Sequence, residues 1–121
     1  MSFRTHLEQV LKQVEGSVVC SVMGFDGMAI DTQQVQELDG LDLPAMLIEY
    51  GSILSKLKEA AASLQAGDVS EISINTERLI TIARMLTPEY YLVLAITPEG
   101  NYGKGRYVLR ITAPKVKAEL E

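Results

Sequence analysis

The chain has 121 residues, which is close to the usual size of one domain and long enough to bury a core, so residues 1–121 are predicted to form a single domain. Hydrophobic residues make up 47% and charged residues 22% of the sequence, and no apolar run approaches the roughly 18 residues that a membrane span requires. The charged first residues contain no apolar signal segment, and the one cysteine cannot form an internal disulfide. These features exclude a membrane span and favour a cytoplasmic protein.

The net charge of −5 argues against a general nucleic-acid-binding protein. Basic residues nevertheless crowd the last segment, which leaves an anionic partner open as a separate hypothesis. They are Lys104, Arg106, Arg110, Lys115 and Lys117.

The first predicted element is an amphipathic helix capped by Ser2, since apolar residues recur after it at steps of three and four. Residues 17–23 then form a β-branched run that is apolar on both faces, and residues 28–32 form a second strand-like run. Asp26 and Gly27 between them suit a tight turn, because glycine takes positive φ at no steric cost and aspartate tolerates it. The two runs are therefore predicted to form a β-hairpin, with Asp26 and Gly27 in a structural role.

A polar loop at residues 33–42 leads into a long helix at about residues 43–66, with Asp42 as its N-cap and Gly67 just past its end. Its apolar residues alternate steps of four and three, which predicts one face packed on a sheet. This predicted core face consists of Leu43, Leu47, Tyr50, Leu54, Leu57, Ala61 and Leu64, widened by Met46, Ile53 and Ala60.

Three strand-like runs follow at residues 70–76, 78–86 and 90–97, and the short breaks between them predict an antiparallel meander. A last helix contains Pro114, so a kink or restart is expected near Ala113. The element order α-β-β-α-β-β-β-α predicts an α+β fold, a three-layer α/β/α sandwich around a five-stranded antiparallel sheet.

The sequence offers little for catalysis, cofactors or metals. GNYGKGR at residues 100–106 has the wrong spacing for a phosphate-binding P-loop and lacks the Ser or Thr after Gly-Lys, so it is interpreted as an ordinary strand-to-helix turn. His6 is the only histidine and is predicted to be solvated on the polar side of the first helix, while Cys20 is predicted to be an inert thiol in a buried strand. No enzyme activity, cofactor or metal is expected.

The face of the middle helix opposite the predicted core carries mostly small residues, where a solvated face would carry Lys and Glu. Gly51 inside a helix costs about 1 kcal/mol relative to alanine, which is understandable if another backbone approaches there. Packing against another helix is the hypothesis; a small-residue surface without such a purpose remains the alternative. The face comprises Ala45, Ile48, Gly51, Ser52, Ser55, Glu59 and Ala62.

The strand SEISINT follows this helix, and only Glu71 and Glu77 would protect it if it lies at the sheet edge. Its residues Ile72, Ser73, Ile74 and Asn75 could then pair with the same strand of a second copy. Edge pairing and helix pairing across one twofold axis predict a homodimer with a continuous sheet.

Segments at residues 7–31 and 90–120, LEQVLKQVEGSVVCSVMGFDGMAID and YYLVLAITPEGNYGKGRYVLRITAPKVKAEL, resemble the Roadblock family of dynein light chains and bacterial MglB-type proteins. The resemblance implies a non-catalytic dimer joined through the middle helices and the strands that follow them. It places Ile48, Gly51, Ser52, Ser55 and Ala62 on the helix-pair face and residues 72–75 in the joining strand.

The resemblance also implies a partner, because the paired helices of this family commonly dock a Ras-like GTPase or link components of a larger assembly. The resulting prediction is a homodimeric regulatory or scaffold protein that modulates the nucleotide cycle or localisation of a small GTPase. Three alternatives stay open: another Roadblock-type subunit as partner, a motor or signalling scaffold without a GTPase, and a small-ligand sensor.

Overall fold

The computed structural model describes residues 2–121, and it confirms the predicted fold class and element order. The bounds of the helices and strands agree with the sequence pattern to within a few residues. The elements are α1 (Phe3–Gln13), β1 (Ser17–Gly24), β2 (Ala29–Gln34), α2 (Leu43–Ser63), β3 (Glu71–Asn75), β4 (Ile80–Met85), β5 (Tyr90–Ile96) and α3 (Tyr102–Leu120).

The five strands form one antiparallel sheet in the order β2-β1-β5-β4-β3. The hairpin β1-β2 and the meander β3-β4-β5 are both present, and β5 joins them by pairing with β1. Strands β2 and β3 therefore lie at the two edges, while β5 occupies the centre.

The central strands are apolar on both faces because helices cover the sheet on both sides. Leu92 and Leu94 of β5 pack into the core beneath α1 and α3, whereas Tyr91 and Val93 pack into a second core beneath α2. Side chains that alternate along a strand point to opposite faces, so every second residue of β5 serves a different core. The predicted three layers are confirmed.

Each helix begins at a side chain that accepts a hydrogen bond from the main chain of its first turn. The Oγ of Ser2 accepts from the Thr5 amide at 3.4 Å, and the Oδ1 of Asp42 accepts from the Ala45 amide at 3.1 Å. Asn101 caps α3, so the segment of residues 100–106 leads from the loop after β5 into the helix, and residues 102–106 already belong to α3. Within residues 2–121, no helix combines the length and apolar character needed to cross a bilayer.

The hairpin turn is also confirmed. Gly27 has a φ of +90°, a conformation that side-chain-bearing residues rarely adopt, and the Met28 amide donates a 3.0 Å hydrogen bond to the Oδ1 of Asp26. Gly27 therefore allows the loop to close and Asp26 stabilises it, so the turn accounts for both residues.

Helix α3 continues through Pro114, so the restart expected near Ala113 is wrong. Pro114 itself is exposed, but Ala113 and Val116 on either side of it are buried in the α1–α3 core. This packing on both sides holds the helix together across the one missing backbone donor.

Candidate functional site

Gly51 does not lie on the outward face of α2, and its assignment to that face is wrong. The residue is buried in the α2 side of the core, where the ring of Tyr91 fits against the helix backbone. A Cβ at Gly51 would overlap the Tyr91 hydroxyl. The close approach inferred from this glycine is therefore real, but its partner is the sheet of the same chain.

The other residues predicted on the helix-pair face lie at the surface of the chain or at its margin. Ile48 is 46% exposed, and Ser55 is half-buried. The remaining members are exposed: Ala45, Ser52, Glu59 and Ala62.

A row of large apolar side chains is also exposed on α2, and the sequence pattern wrongly placed it in the core. Ile53 is 46%, Leu57 40% and Leu64 79% exposed, with the exposed Ala60 between the last two. Their spacing of four, three and four residues places them on one side of the helix. The last of them, Leu64, directly follows the end of α2. We call Ile53, Leu57, Ala60 and Leu64 the exposed α2 row.

The row lies off the core-facing side of α2, and that side has no large apolar residue after Leu54 within the helix. The next positions on that side are Lys58 and Ala61. The Lys58 ammonium donates to the Pro88 carbonyl at 3.0 Å and lies 4.1 Å from the centre of the Phe25 ring, so it joins this half of the helix to the sheet's end loops. The change from Leu54 to Lys58 was the signal in the sequence that could have identified the row.

Strand β3 lies at the sheet edge and pairs only with β4, as the sequence pattern allowed. Ile72 packs at the margin of the α2-side core, whereas the Oγ of Ser73 accepts a 2.9 Å hydrogen bond from the Tyr102 hydroxyl on the α3 side. Ile74 is half-buried and Asn75 is exposed. The strand is therefore held by its side chains on both faces while its outer backbone edge has no neighbouring strand within residues 2–121.

No cluster of side chains suited to a metal ion is found among the described residues, and the two residues considered for chemistry, Cys20 and His6, are both buried. No three His, Cys, Asp or Glu side chains of residues 2–121 come together as a metal site. Cys20 is fully buried, and burial raises the pKa of its thiol, which opposes formation of a reactive thiolate. His6 is 5% exposed, with its Nε2 3.7 Å from a carboxylate oxygen of Glu119, so the prediction of a solvated histidine is wrong.

An apolar groove of about 190 Å³ lies between the β1–β2 hairpin and the first turns of α2. Met23 and Leu47 are buried in its wall, and Ile48 lies at its rim. The hairpin turn lies close to the helix here: a Cβ added at Gly27 would be 3.7 Å from the Cγ2 of Ile48.

Comparison with known proteins gives matches among solved structures only; a scan against protein-family models found none, and a search of curated proteins found none. MglC from Myxococcus xanthus is 56% identical, with 98% of this chain and 99% of that chain covered and a TM-score of 0.71. The Roadblock/LC7 domain from Streptomyces avermitilis is 13% identical over 99% of this chain and 98% of its own, with a TM-score of 0.84.

A structure described as MglB with tetrameric arrangement is 16% identical, covers 95% of this chain and 85% of its own, and has a TM-score of 0.83. These two distant matches show the shared fold, whereas the identity to MglC over nearly both whole chains shows kinship. The chain belongs to the Roadblock family of MglB- and MglC-type proteins.

Proposed function

We propose that this protein is a non-catalytic homodimer that regulates or scaffolds a Ras-like small GTPase in the cytoplasm. The observation that carries the proposal is the exposed α2 row, which lies on the helix preceding a free β3 edge in a chain of the Roadblock family. Another Roadblock-type subunit could take the place of the second copy, because the same two elements would then face a similar chain.

The exposed α2 row supports helix pairing because three large apolar side chains on one side of a helix are unfavourable in water. Leu64 is 79% exposed, Ile53 46% and Leu57 40%. Covering such side chains contributes about 25 cal/mol per Å² of apolar surface removed from water. We extend the predicted interface of Ala45, Ile48, Ser52, Ser55, Glu59 and Ala62 by this row and withdraw Gly51 from it.

Strand β3 supports the second half of the same interface. A free strand edge presents unpaired amides and carbonyls that favour addition of another strand. In β3, Ile72 and Ser73 are already held by the two layers of their own chain, which leaves the backbone edge for a partner. Pairing of residues 72–75 with a second copy would continue the sheet across the dimer.

The GTPase is proposed from family membership and from what the site lacks. The resemblance implies that dimers of this family commonly dock Ras-like GTPases on their paired helices, and no group of side chains suited to a metal ion is found among residues 2–121 of this chain. The mechanism would then be conformational: the dimer surface holds the switch loops of the GTPase in one arrangement. Such a surface biases only those nucleotide states that it binds with different affinity.

The test is recovery of purified Ras-like GTPases on immobilised protein, each loaded either with GDP or with a non-hydrolysable GTP analogue. Preferential recovery of one nucleotide form supports regulation, and equal recovery of both supports a scaffold that does not sense the nucleotide. Failure to recover any GTPase in either form would contradict the GTPase proposal and leave a scaffold without a GTPase.

At the start of α2, the observation that bears on the sensor alternative is the apolar groove between the hairpin and that helix. Its volume of about 190 Å³ is below the roughly 300–1,000 Å³ of common small-molecule sites. The groove also offers few polar groups to orient a ligand, so a protein partner agrees better with this surface. Thermal-shift screening with small metabolites distinguishes the two, since a sensor requires at least one stabilising ligand.

A further inference from the structure

A charged surface lies on the opposite side of the sheet from α2, where α3 packs beside β3 and β4. Here an open cleft of about 370 Å³ is lined by three arginines, Arg84, Arg106 and Arg110, and by one carboxylate, Glu71. Two positive charges are therefore uncompensated in this cleft, although the whole chain carries a net charge of −5. A local excess of this sign in an acidic protein favours a partner of negative charge.

The single carboxylate of the cleft is fully used by two of the arginines. The Oε1 of Glu71 is 3.1 Å from the Nη1 of Arg84, and its Oε2 is 2.7 Å from the Nη2 of Arg106. Arg106 also lies over the ring of Tyr102, with its guanidinium carbon 5.9 Å from the ring centre. Glu71 and Tyr102 thus hold the two guanidinium groups in place before any partner arrives, which lowers the ordering cost of binding.

Arg110 is one turn further along α3, and no carboxylate among residues 2–121 lies within ion-pair distance of it. Its guanidinium carbon is 5.7 Å from the centre of the Tyr107 ring, a contact that orients the side chain without neutralising it. All of its N–H donors remain for a partner. Arg110 is the residue of the cleft with no structural ion pair to maintain.

We propose that this cleft binds an acidic peptide segment of a partner protein through Arg84, Arg106 and Arg110. The cleft lies on the α3 side of the sheet and adjoins the proposed β3 interface through Glu71, the first residue of β3. The proposal does not depend on the GTPase. Each guanidinium can form a bidentate pair with a carboxylate, and such charge-assisted hydrogen bonds are the strongest available to a surface cleft.

The arrangement favours several separate carboxylates over one compact phosphate. Arg84 and Arg106 both pair with Glu71, so the position between the two guanidinium groups is already taken by a carboxylate and is not open to a phosphate. At the N-terminus of α3, the Lys104 amide already donates to the Oδ1 of Asn101 at 3.1 Å and is not available to an anion. An extended acidic segment can reach the outlying donors and Arg110 in turn.

The proposal is tested by fluorescence anisotropy of fluorescein-labelled octaglutamate with the full chain, using labelled octaglutamine as the neutral probe. Octaglutamate should bind, octaglutamine should not, and binding should weaken with added salt. Arg110→Gln should weaken binding by about fivefold, because one charge-assisted contact is lost.

Lys115→Gln is the matched control, since it removes the same charge from an exposed position of α3 that does not line the cleft. Far-ultraviolet circular dichroism checks that each variant is folded. The proposal is overturned if octaglutamate does not bind, or if Arg110→Gln and Lys115→Gln have the same effect. It is also overturned if inorganic phosphate at equal ionic strength displaces the peptide more effectively than free glutamate does, since the ligand would then be a compact phosphate.

Discussion

The hydroxyl of Tyr91 donates a 2.9 Å hydrogen bond to the carbonyl oxygen of Leu47, so a side chain from the central strand is bonded to the backbone of α2. Leu47 lies four residues before Gly51, and the missing side chain at Gly51 gives the tyrosine its access to the helix. The hydrogen bond and the missing side chain together bring the Tyr91 ring against the backbone of α2. The position of α2 matters because the helix carries the proposed interface.

We expect Gly51→Ala to lower the free energy of unfolding by about 1–3 kcal/mol, because its Cβ overlaps the Tyr91 hydroxyl. Gly103→Ala in α3 is the matched control, since the only neighbour of its Cβ would be the Oδ1 of Asn101 at 4.0 Å. That variant should be neutral or more stable by up to about 1 kcal/mol, the usual difference in helix propensity. Urea denaturation at one protein concentration measures both. Equal stability of the two variants would contradict the steric explanation.

Tyr91→Phe should relieve part of the cost of Gly51→Ala. Alone, it removes the hydrogen bond to Leu47 and should destabilise the protein by about 1 kcal/mol. Combined with Gly51→Ala, it also removes the oxygen that the new Cβ meets, so the double variant should be more stable than the sum of the two single effects. Strict additivity in a double-mutant cycle would show that the two residues do not interact.

Alkaline pH should destabilise the fold through the same tyrosine. Burial raises the pKa of Tyr91 to about 12 from its usual value of about 10. Between these two values the unfolded chain has lost the phenolic proton and the folded chain has kept it, so the stability falls as the pH rises from about 10 to about 12. Tyr91→Phe should make this fall less steep, as measured by urea midpoints at several pH values. Tyr107→Phe, at a ring that is 54% exposed, is the control and should leave the slope unchanged.

The start of α2 should depend on Asp42, whose Oδ1 accepts a hydrogen bond from the Ala45 amide at 3.1 Å. Asp42→Ala should cost about 1 kcal/mol of stability, and Asp42→Asn should restore most of it because asparagine caps helices about as well. Asp39→Ala is the control for loss of one acidic charge in the same loop, and it should change the stability by less than about 0.5 kcal/mol. An equal loss in Asp42→Ala and Asp39→Ala, measured by thermal or urea unfolding, would argue against a capping role.

The fold could be predicted from the sequence because each element has its own local pattern. Runs apolar on both faces identified the covered central strands, and residues such as Ser2, Asp42 and Gly27 identified where helices begin and the hairpin turns. These signals each involve only a few neighbouring residues, so they can be recognised without knowledge of the tertiary contacts.

The candidate site was predicted only in part, because its errors concern contacts between distant segments. Gly51 contacts Tyr91 of β5, and the residues around Gly51 in the sequence do not predict this contact. Helix α2 is apolar around much of its circumference, so periodicity alone could not tell that Leu57 and Leu64 would be left in water. His6 is buried beside Glu119 because the end of α3 lies next to α1, again a contact across the whole chain.

The proposed interface makes a prediction that separates helix pairing from general surface hydrophobicity. Leu57→Glu should raise the Kd of the dimer at least about 100-fold, because the interface would have to bury an unpaired carboxylate next to apolar side chains. Ile111→Glu on α3 is the matched control, since Ile111 is also 40% exposed but lies on the other side of the sheet. Sedimentation velocity from low to high micromolar concentration should give a dimer for the wild type and for Ile111→Glu. It should give a monomer for Leu57→Glu. A monomeric wild type, or dimers that tolerate Leu57→Glu as well as Ile111→Glu, would rule out an interface built on the exposed α2 row.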